Sequence, residues 1–311
     1  MLNFIEWLSF IIGVWTLVKI ILDLFYTLKT FFAKTDFSLY GRGSWALVTG
    51  ASDGIGLGFS EFLASQGFNI ILIGRNPEKL KKLAQSIEEK FPIKTRCIIK
   101  DFSLSAKDPQ NFFKDIKDQT RDLDVSILVN NIGYGPGPKV FNFLPSGEIL
   151  NTMALNLWPI AFLSRLYMPD LVSRKQRSAI INLSSIISVM PFPRSAIYCG
   201  GKSFDHLFSL ITAEEAKYLA KNNNTSIDVL SLRPGYVDTP LAQKIKVKPL
   251  LITVDQCVES ACNSLGAVNY TSGHWKHQLF YLFGNSFKPL LSPFFGKLAR
   301  KMLESSLKTN K

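Results

Sequence analysis

Two residues four positions apart, Tyr198 and Lys202, could form an acid–base pair. On a helix this spacing puts both side chains on one face, one turn from each other. A free tyrosine hydroxyl has a pKa of roughly 10, too high for proton transfer near neutral pH, but a nearby ammonium favours the phenolate and lowers that pKa. Alone, the pair is a weak signal, since the same spacing arises by chance on solvated helices. Ser185 lies thirteen positions before the tyrosine, just after the apolar run 179–183, which predicts a buried strand.

A glycine-rich turn separates a predicted strand from a predicted helix near residue 50. The apolar stretch 44–48 predicts the strand, residues 49–56 read TGASDGIG, and an amphipathic pattern continues to about Gly67. In this context the glycines let the backbone approach a pyrophosphate, and the helix N-terminus favours its negative charge. A plain tight turn is the alternative, and the strand–turn–helix order favours a nucleotide site.

The residues after the second predicted strand, 69–73, indicate which nucleotide is bound. An acidic residue there would hydrogen-bond a ribose 2′-hydroxyl, whereas an arginine accommodates a 2′-phosphate. This chain has Arg75, so the sequence predicts NADP(H) over NAD(H). Asp53 argues mildly against that choice because it would lie near the phosphate, and a solvated surface arginine is the alternative interpretation.

Predicted strands and helices alternate along the chain. Further strands are predicted at 95–99, 125–129, 180–183 and 228–232, and helices at 77–91, 108–121, 148–172, 196–221 and 254–265. Alternation with apolar strands predicts an α/β fold, a Rossmann-type doubly wound parallel sheet covered on both faces. The candidate residues follow strand ends, where such sheets bind ligands. Asp101, after the third of the six strands, could accept from an adenine amine or cap a helix.

Residues 4–28 are mostly apolar and long enough for a bilayer span of roughly 20 residues. Lys19 and Asp23 interrupt the stretch and can pair or snorkel. A signal peptide is disfavoured by Glu6, by the lack of Lys or Arg ahead of the stretch and by the lack of a cleavage site, whereas an amphipathic helix in the membrane interface remains an alternative. Basic residues follow it, namely Lys29, Lys34 and Arg42. The positive-inside rule therefore predicts that the rest of the chain faces the cytosol.

The net charge of +12 allows a nucleic acid, a membrane surface or an anionic small ligand as partner. No basic block is interleaved with aromatic residues, so we expect no nucleic acid. The cysteines at 97, 199, 257 and 262 and the scattered histidines have no metal-ligand spacing, so no metal is predicted. The cysteines are expected to be small apolar fillers in a reducing compartment.

The chain is predicted to have one catalytic domain with two extensions. Residues 1–40 would be the membrane-anchoring segment and linker, 41–270 the dinucleotide-binding catalytic domain, and 271–311 an aromatic and basic tail. Residues 275–303 of that tail contain too many Gly, Pro and Lys interruptions for a span. They would lie on a membrane surface or cover the substrate.

Taken together, the motifs resemble the short-chain dehydrogenase/reductase superfamily over roughly residues 44–266. The shared elements are the glycine turn at 49–56, Asn-Asn-x-Gly at 130–133, Ser185, Tyr198-x-x-x-Lys202 and Pro234-Gly235, in this order and spacing. A finer resemblance is to membrane-bound very-long-chain 3-oxoacyl-CoA reductases and the related 17β-hydroxysteroid dehydrogenases. It depends on the hydrophobic N-terminal extension and on the sequences at 45–56, 74–76, 128–133 and 253–261.

The resemblance implies a role for each candidate residue. Tyr198 would protonate the substrate carbonyl oxygen, Lys202 would lower its pKa and bind the nicotinamide ribose, and Ser185 would hydrogen-bond the same carbonyl. Asn156 matches the helix asparagine that holds a water leading to the lysine. Besides Tyr198 and Lys202, the residues implied to bind NADP(H) are Gly50, Ser52, Gly54, Ile55, Gly56, Arg75, Asp101, Asn131, Pro234, Val237 and Thr239.

The implied activity is NADPH-dependent reduction of a 3-oxoacyl-CoA to a 3-hydroxyacyl-CoA in fatty-acid elongation, on the cytosolic face of the endoplasmic reticulum membrane. The alternatives are reduction of a steroid 17-ketone and a non-catalytic membrane scaffold. A homodimer and contacts with other elongation enzymes are further implications. Asn223, Asn224 and Asn269 head glycosylation sequons, and some of these would be modified if the domain were lumenal.

The sequence departs from the family pattern at two places. Ile132 stands where a small alanine is usual, although bulkier residues occur in the subgroup. Gly200 and Gly201 lie between the tyrosine and the lysine. Each glycine costs a helix about 1 kcal/mol relative to alanine, which bears on how rigidly the pair is held.

Overall fold

The catalytic part of the chain is organised around a seven-stranded parallel sheet. The computed structural model describes residues 3–189, 192–240 and 248–286, together with Lys297 and Glu304. The strands are β1 (Trp45–Thr49), β2 (Asn69–Gly74), β3 (Thr95–Ile99), β4 (Val125–Asn130), β5 (Ser178–Leu183), β6 (Ile227–Leu232) and β7 (Tyr270–Thr271). Their order is β3-β2-β1-β4-β5-β6-β7, and every neighbouring pair is parallel. This confirms the Rossmann-type doubly wound sheet.

Eight α-helices accompany the sheet in the described residues. They are α1 (Phe4–Phe32), α2 (Gly54–Ser65), α3 (Pro77–Lys90), α4 (Pro109–Asp118), α5 (Ser146–Ser173), α6 (Ala196–Asn222), α7 (Val254–Ser264) and α8 (Trp275–Ser286). The predicted elements are present with bounds shifted by a few residues. β7 was not predicted, because two residues carry no periodic pattern. The predicted tail beyond 286 lies outside the described residues, apart from Lys297 and Glu304.

The apolar side chains of the sheet divide between two buried clusters, one on each face. Within β1, Ala46 and Val48 belong to one cluster and Leu47 to the other, because successive strand residues point to opposite faces. Helices α2, α3 and α7 contribute to the first cluster, and α4, α5 and α6 to the second. Both faces are therefore covered, which explains the continuous apolar strands in the sequence.

The strand order reverses between β1 and β4, which places a crevice at the carboxyl ends of the central strands. From β1 the chain moves outward to β2 and β3, then returns to β4 on the other side of β1. Open parallel sheets bind their ligands at such a point. The loops after β1, β4, β5 and β6, which carry most of the candidate residues, all open toward this edge.

Helix α1 begins with a capping box. The Asn3 side chain accepts from the Glu6 N–H at 3.0 Å, and the Glu6 carboxylate accepts from the Asn3 N–H at 2.7 Å. The 29-residue helix has a mean hydropathy of 2.1 over its best window, and its large apolar side chains are mostly exposed. At 1.5 Å per residue it is about 43 Å long, more than the roughly 30 Å of a hydrocarbon core. This helix suggests membrane association.

The carboxyl-terminal part of α1 is attached to the catalytic part. The Tyr26 hydroxyl donates to the Tyr270 carbonyl at 2.9 Å and accepts from the Tyr270 N–H at 3.0 Å, and the two rings stack at 4.3 Å. Nearer the start of α1, Lys19 lies 6.0 Å from the Trp15 ring centroid, and in the described part of the chain it forms no ion pair with Asp23. Helix α1 thus contacts the rest of the chain at β7. The three-part division of the chain stays a prediction.

The four cysteines are free thiols, and only two of them fit the prediction of buried fillers. Cys257 and Cys262 on α7 are buried. Cys97 is exposed, because β3 is an edge strand, and Cys199 is partly exposed in the first turn of α6. The prediction was wrong for these two residues, since strand position and helix face were not visible in the sequence.

Candidate active site

The turn after β1 has a backbone that only glycine adopts easily. Gly50 and Gly54 have φ values of 64° and 52°, in the left-handed region. A Cβ at Gly56 would lie 2.2 Å from the Gly50 carbonyl oxygen, so any side chain there would force the turn apart. Asp53 caps α2 by accepting from the Gly54 N–H at 3.1 Å. The turn is therefore a close-fitting cradle at a helix N-terminus, and its role as a pyrophosphate site stays a prediction.

Asn131 braces this cradle from the end of β4. Its side-chain amide donates to the carbonyls of Thr49 at 3.0 Å and Gly50 at 3.4 Å, and its backbone N–H donates to the Thr49 hydroxyl at 2.9 Å. Ile132 lies against the same turn, with its Cδ1 atom 3.2 Å from a Cβ position at Gly50. The bulky Ile132 thus fills space beside the glycine turn.

Arg75 is exposed and lies just beyond the end of β2. The cradle follows the end of β1, so both lie at the carboxyl ends of parallel strands. Asp53, the residue that argued against a 2′-phosphate, forms an ion pair with Lys79 at 3.0 Å. Its negative charge is therefore offset locally. The Ser52 hydroxyl lies 3.5 Å from a Cβ position at Gly74, which brings the glycine turn and the end of β2 together.

Asp101 caps the short 3₁₀ helix 102–106 that follows β3. Its carboxylate accepts from the Ser103 N–H at 3.0 Å and from the Ser103 hydroxyl at 2.7 Å. Of the two interpretations given to this residue, the capping role is the one present in this geometry.

Tyr198 and Lys202 lie one turn apart in the first two turns of α6, and the loop after β4 borders both. A Cβ at Gly135 would lie 3.6 Å from the Tyr198 ring, and a Cβ at Gly133 would lie 3.3 Å from the Lys202 ammonium nitrogen. Burial raises the pKa of the Tyr198 hydroxyl more than the Lys202 ammonium lowers it, and Asp205 raises it further. The ammonium thus acts in the predicted direction, but burial outweighs it.

Lys202 is buried and held by two acceptors. Its ammonium donates to the Leu183 carbonyl at 2.7 Å and to the Asp205 carboxylate at 2.9 Å. The sequence analysis missed Asp205. It stands three positions after Lys202 and seven after Tyr198, so helical spacing places all three on one face and would have been the signal.

Ser185 follows β5 and has only long hydrogen bonds. Its hydroxyl donates to the Pro234 carbonyl at 3.4 Å and accepts from the Ile187 N–H at 3.4 Å. Its neighbour Ser184 donates to the Lys202 carbonyl at 2.6 Å, which fixes the end of β5 against α6. The loosely held Ser185 hydroxyl is free to rotate toward a ligand.

Asn156 is fully buried in α5 and holds the loop after β4. Its amide donates to the carbonyls of Tyr134 at 2.7 Å and Thr152 at 2.8 Å, while its oxygen accepts from the Tyr134 N–H at 3.1 Å. A Cβ at Gly133 would lie 3.2 Å from the Asn156 oxygen, so Asn156 and Lys202 border the same glycine. The side chain positions this loop, and its role in holding a water stays a prediction.

The remaining predicted cofactor residues divide between the cradle and the protein interior. The Thr239 methyl group lies 3.1 Å from a Cβ position at Gly54, so Thr239 reaches the glycine turn. Val237 is buried and pairs with Ile252 in an isolated bridge. Ile55 packs against the first core cluster. Pro234 takes part through its carbonyl, which accepts from Ser185 and from the Ile186 N–H at 3.0 Å.

A shallow cleft, open to solvent and with a cavity volume of only about 10 Å³, lies beside Tyr198. Its lining includes the apolar side chains of Phe141 and Leu144 and the basic residues Lys139 and Arg194. Arg194 has a φ of 68°, an unusual conformation for a non-glycine residue, and its guanidinium donates to the Pro138 carbonyl at 3.1 Å. The sequence analysis missed both basic residues, because they belong to two loops that only the fold brings together.

The chain matches the family model described as short chain dehydrogenase over residues 44–249. The inactive hydroxysteroid dehydrogenase-like protein 1 of Homo sapiens is 34% identical over 249 residues, which cover 78% of this chain and 72% of that protein. The very-long-chain 3-oxoacyl-CoA reductase of Rattus norvegicus is 35% identical over 242 residues, 76% of this chain and 73% of the reductase. The human reductase is 33% identical over 271 residues, 86% and 81% of the two chains. These similarities confirm the resemblance inferred from the motifs.

Solved structures share the fold. A 7β-hydroxysteroid dehydrogenase superposes with a TM-score of 0.70 at 23% identity, covering 78% of this chain and 92% of that one. A short-chain dehydrogenase from Sphingobium yanoikuyae in complex with NADPH gives 0.62 at 24% identity, with 71% and 84% covered. A 3-ketoacyl-(acyl-carrier-protein) reductase from Brucella melitensis complexed with NADH gives 0.61 at 23% identity, with 75% and 95% covered. Proteins of this fold thus bind NADPH or NADH.

Proposed function

Since the chain belongs to the short chain dehydrogenase family, we propose that it is a membrane-associated, NADPH-dependent reductase of long-chain 3-oxoacyl-CoA. The family and its relatives make it an oxidoreductase that acts on CH–OH or C=O groups. The observation that carries the reduction of a carbonyl group is the buried Lys202 ammonium at the carboxyl end of β5, one helical turn from Tyr198. This is a proton-transfer arrangement beside a nucleotide cradle. The choice of substrate is supported by the relatives named as very-long-chain 3-oxoacyl-CoA reductases.

The residues present fit a dinucleotide. The cradle has no room for a side chain at Gly56, as a site for close backbone approach to a pyrophosphate requires. We propose that the glycine turn and Thr239 hold the pyrophosphate region and that Lys202 holds the nicotinamide ribose. The bound cofactor supplies the hydride, and the chain supplies position and proton transfer.

The proton chemistry falls to Tyr198 and Ser185. In the direction of reduction, the carbonyl oxygen gains negative charge and must receive a proton. The raised pKa of Tyr198 keeps its hydroxyl protonated at neutral pH, so it can donate that proton. The Ser185 hydroxyl hydrogen-bonds the same oxygen, and the Lys202 ammonium stabilises the tyrosinate that remains.

NADPH is favoured over NADH by Arg75 and by the ion pair that offsets Asp53. An exposed guanidinium at the end of β2 suits a 2′-phosphate, whereas no carboxylate stands at that position. The Lys79 ammonium at 3.0 Å from Asp53 weakens the repulsion that this carboxylate would exert on the phosphate.

The cleft beside Tyr198 supports an anionic substrate with an apolar part. Lys139 and Arg194 suit the phosphates of a coenzyme A thioester, and Phe141 and Leu144 suit an acyl chain. A steroid 17-ketone is the second candidate, since a dehydrogenase of steroids shares the fold and the cleft has an apolar wall. A ketosteroid offers no charge to the two basic residues.

A non-catalytic membrane scaffold is the third candidate, because one relative is named as inactive. The chain retains Ser185, Tyr198 and Lys202, the three residues to which the proton chemistry falls. Their presence argues against a scaffold and supports the reductase.

The exposed apolar α1 supports a membrane location, and we propose the endoplasmic reticulum with the catalytic part in the cytosol. The relatives that reduce very-long-chain 3-oxoacyl-CoA support a place in fatty-acid elongation beside other elongation enzymes. The outer face of α6 exposes Leu207, Ile211 and Tyr218, which supports a homodimer. A glycan on the sequons at 223, 224 or 269, detected as a mass shift that a glycosidase removes, would contradict the cytosolic placement.

The test is a substrate and cofactor panel on the full-length protein in detergent micelles. We expect oxidation of NADPH with a long-chain 3-oxoacyl-CoA, slower oxidation of NADH, and no turnover with a 17-ketosteroid. Replacing both Lys139 and Arg194 with glutamine should raise KM for the acyl-CoA without changing Kd for NADPH. Lys175→Gln, an exposed lysine at the opposite end of the sheet, is the matched control. Turnover of the ketosteroid alone would transfer the assignment to the second candidate.

A further inference from the structure

The Lys202 ammonium is almost fully enclosed, and two of its three N–H groups are in use. One donates to the Leu183 carbonyl and one to Asp205, and the side chains of the ion pair are 3% and 0% exposed. Among the described residues the third N–H has no acceptor, which leaves it for a ligand. Gly133 borders the ammonium, and its lack of a side chain keeps that approach open.

The second carboxylate oxygen of Asp205 is buried and has no partner among the described residues. A buried acceptor without a donor destabilises a fold, because it has lost its hydrogen bonds to water. A buried ion pair also stabilises a fold no better, in many cases, than apolar residues of similar volume. A gain in stability therefore does not explain the carboxylate of Asp205. Its hydrogen bond to Lys202, which fixes the position of the ammonium, does explain it.

We infer that Asp205 is a positioning residue, which holds the Lys202 ammonium at the carboxyl end of β5, where it acts on Tyr198. The inference rests on the proposed function for the reaction that Tyr198 serves. Its structural part, the fixing of Lys202 by Asp205, depends only on the ion pair and on the burial of both side chains.

The pKa of Tyr198 is the link between the ion pair and the chemistry. Burial raises it, Lys202 lowers it and the Asp205 charge raises it. A neutral residue at 205 removes the last effect, so Tyr198 would ionise at lower pH. Burial also raises the pKa of Asp205 itself to about 6, although Lys202 opposes this, so the carboxylate is charged at neutral pH.

The elements packed around the pair add no further charge in the part of the chain that the structure describes. β5 contributes the Asn182 amide and the Leu183 carbonyl, and α5 contributes Asn156, none of which titrates. His206, next to Asp205 in α6, is turned instead to Ser231 and Arg233. The charges at this site are therefore those of Lys202 and Asp205. Cys199, next to Tyr198, is a further titratable group that raises the pKa of the tyrosine, and burial raises the pKa of its own thiol.

The test compares Asp205→Asn with the wild type in two readouts on the full-length protein. NADPH affinity is measured by fluorescence titration, and the pH profile of kcat/KM by NADPH oxidation. We expect Kd to rise on the order of tenfold, since a charge-assisted hydrogen bond no longer fixes Lys202. We also expect the alkaline limb of the profile to move to lower pH. In a Lys202→Met background, Asp205→Asn should leave Kd unchanged, because there is no ammonium left to position.

Glu214→Gln is the matched control, because Glu214 forms an i,i+3 pair with Lys217 on the same helix at 2.7 Å but in solvent. It should change neither readout. An unchanged alkaline limb in Asp205→Asn, or an equal rise in Kd with and without Lys202, would overturn the inference. If the asparagine variant does not fold, Asp205→Glu decides: it keeps the charge but displaces it, so Kd must rise. Protein that binds NADPH but does not reduce the acyl-CoA would refute the proposed substrate and leave the Kd comparison standing.

Discussion

Lys202 and Arg233 are both buried cations, 2% and 1% exposed, and their surroundings differ in kind. Lys202 has a carboxylate partner in Asp205. Arg233 has none within 4 Å in the described residues, and its guanidinium lies between the rings of Tyr270 and Tyr281, at 4.2 and 4.1 Å from their centroids. Two of its nitrogens, Nε and Nη2, have no hydrogen-bond partner there.

The hydrogen bonds of Arg233 also define the state of its neighbour His206. Since a guanidinium only donates, the His206 Nε2 atom at 3.1 Å must accept, and the ring proton lies on Nδ1, which faces the Ser231 hydroxyl at 3.0 Å. Burial and the Arg233 charge lower the pKa of His206 to about 3, so the ring is neutral at physiological pH.

The two surroundings indicate different roles for the two cations. The aromatic sandwich encloses Arg233 and joins α6, the end of β6, β7 and α8, next to the place where Tyr26 of α1 is attached. Lys202, paired with Asp205, keeps one N–H without an acceptor in the described part of the chain, next to Gly133 in the loop after β4. We therefore expect changes at Lys202 to affect turnover and changes at Arg233 to affect stability.

The largest expected effect is on turnover at Lys202. Lys202→Met should lower kcat about a thousandfold, because Tyr198 loses the charge that stabilises its phenolate. Arg233→Met should leave kcat unchanged. NADPH oxidation at saturating substrate measures both. The double variant Lys202→Met with Asp205→Asn excludes an effect of an unpaired carboxylate, and an equal loss of kcat at Arg233 would remove the distinction between the two cations.

The next effect is on stability at Arg233. Arg233→Ala should lower the free energy of unfolding by about 3 kcal/mol, since it removes the largest fully buried side chain and leaves a cavity between two aromatic rings. Urea denaturation followed by tryptophan fluorescence measures it. Arg121→Ala is the control, because this side chain is 75% exposed and its loss should cost less than about 0.5 kcal/mol. A result at Arg233 as small as the control would show that the sandwich contributes nothing.

The free energy of unfolding should depend on pH with opposite signs in the two regions, which are His206 beside Arg233 and Asp205 beside Lys202. The pKa of His206 is about 3 in the folded chain, whereas its ordinary value, taken for the unfolded chain, is 6.5. Between these two pH values the unfolded chain binds one more proton than the folded chain, so the free energy of unfolding rises with pH. The pKa of Asp205 is about 6 in the folded chain, whereas its ordinary value, taken for the unfolded chain, is 3.8. Between these two pH values the folded chain binds one more proton than the unfolded chain, so the free energy of unfolding falls as the pH rises.

Unfolding by urea at several pH values between about 4 and 6 checks this difference. His206→Gln should make the slope of stability against pH less positive than in the wild type, and Asp205→Asn should make it more positive. Changes of the same sign in both variants would contradict the account of the two cations.

The smallest effect concerns the two glycines between Tyr198 and Lys202. A Cβ at Gly200 meets nothing within 4 Å, so Gly200→Ala should raise the free energy of unfolding by about 1 kcal/mol through helix propensity. A Cβ at Gly201 would lie 3.1 Å from Leu157 Cδ1 and 3.5 Å from the Asn156 Cβ, so Gly201→Ala should lose that gain. Thermal unfolding of the two variants measures this difference. An equal gain in stability in both would show that α5 and α6 leave room for a methyl group at Gly201.

Much of the fold could be predicted from the sequence, because its signals are local. Apolar runs and the glycine turn specify the strands from β1 to β6 and the crevice at their carboxyl ends. The packing of α6 on α5 explains one of the two glycines between Tyr198 and Lys202, namely Gly201, whereas Gly200 has no contact that explains it. The two residues of β7 are too few to show a periodic pattern of apolar residues, and their pairing with β6 depends on tertiary contacts.

The site was predicted less completely, for physical reasons. The motif residues share a strand end or a helix face, so their spacing reveals them. Lys139 and Arg194 meet only across two loops, and the Arg233 sandwich draws its rings from β7 and α8. Asp205 lay within reach of the helical spacing rule, but its burial and its bond to Lys202 depend on the packing of α6 against β5.

The proposed reduction depends on Tyr198 as the proton donor to a 3-oxoacyl-CoA. NADPH oxidation by the full-length protein with a long-chain 3-oxoacyl-CoA tests it most directly, with Tyr198→Phe as the variant and Tyr218→Phe, 69% exposed on the same helix, as the control. We predict turnover in the wild type and in the control and a loss of about a thousandfold in Tyr198→Phe. Wild-type turnover in Tyr198→Phe would contradict the claim.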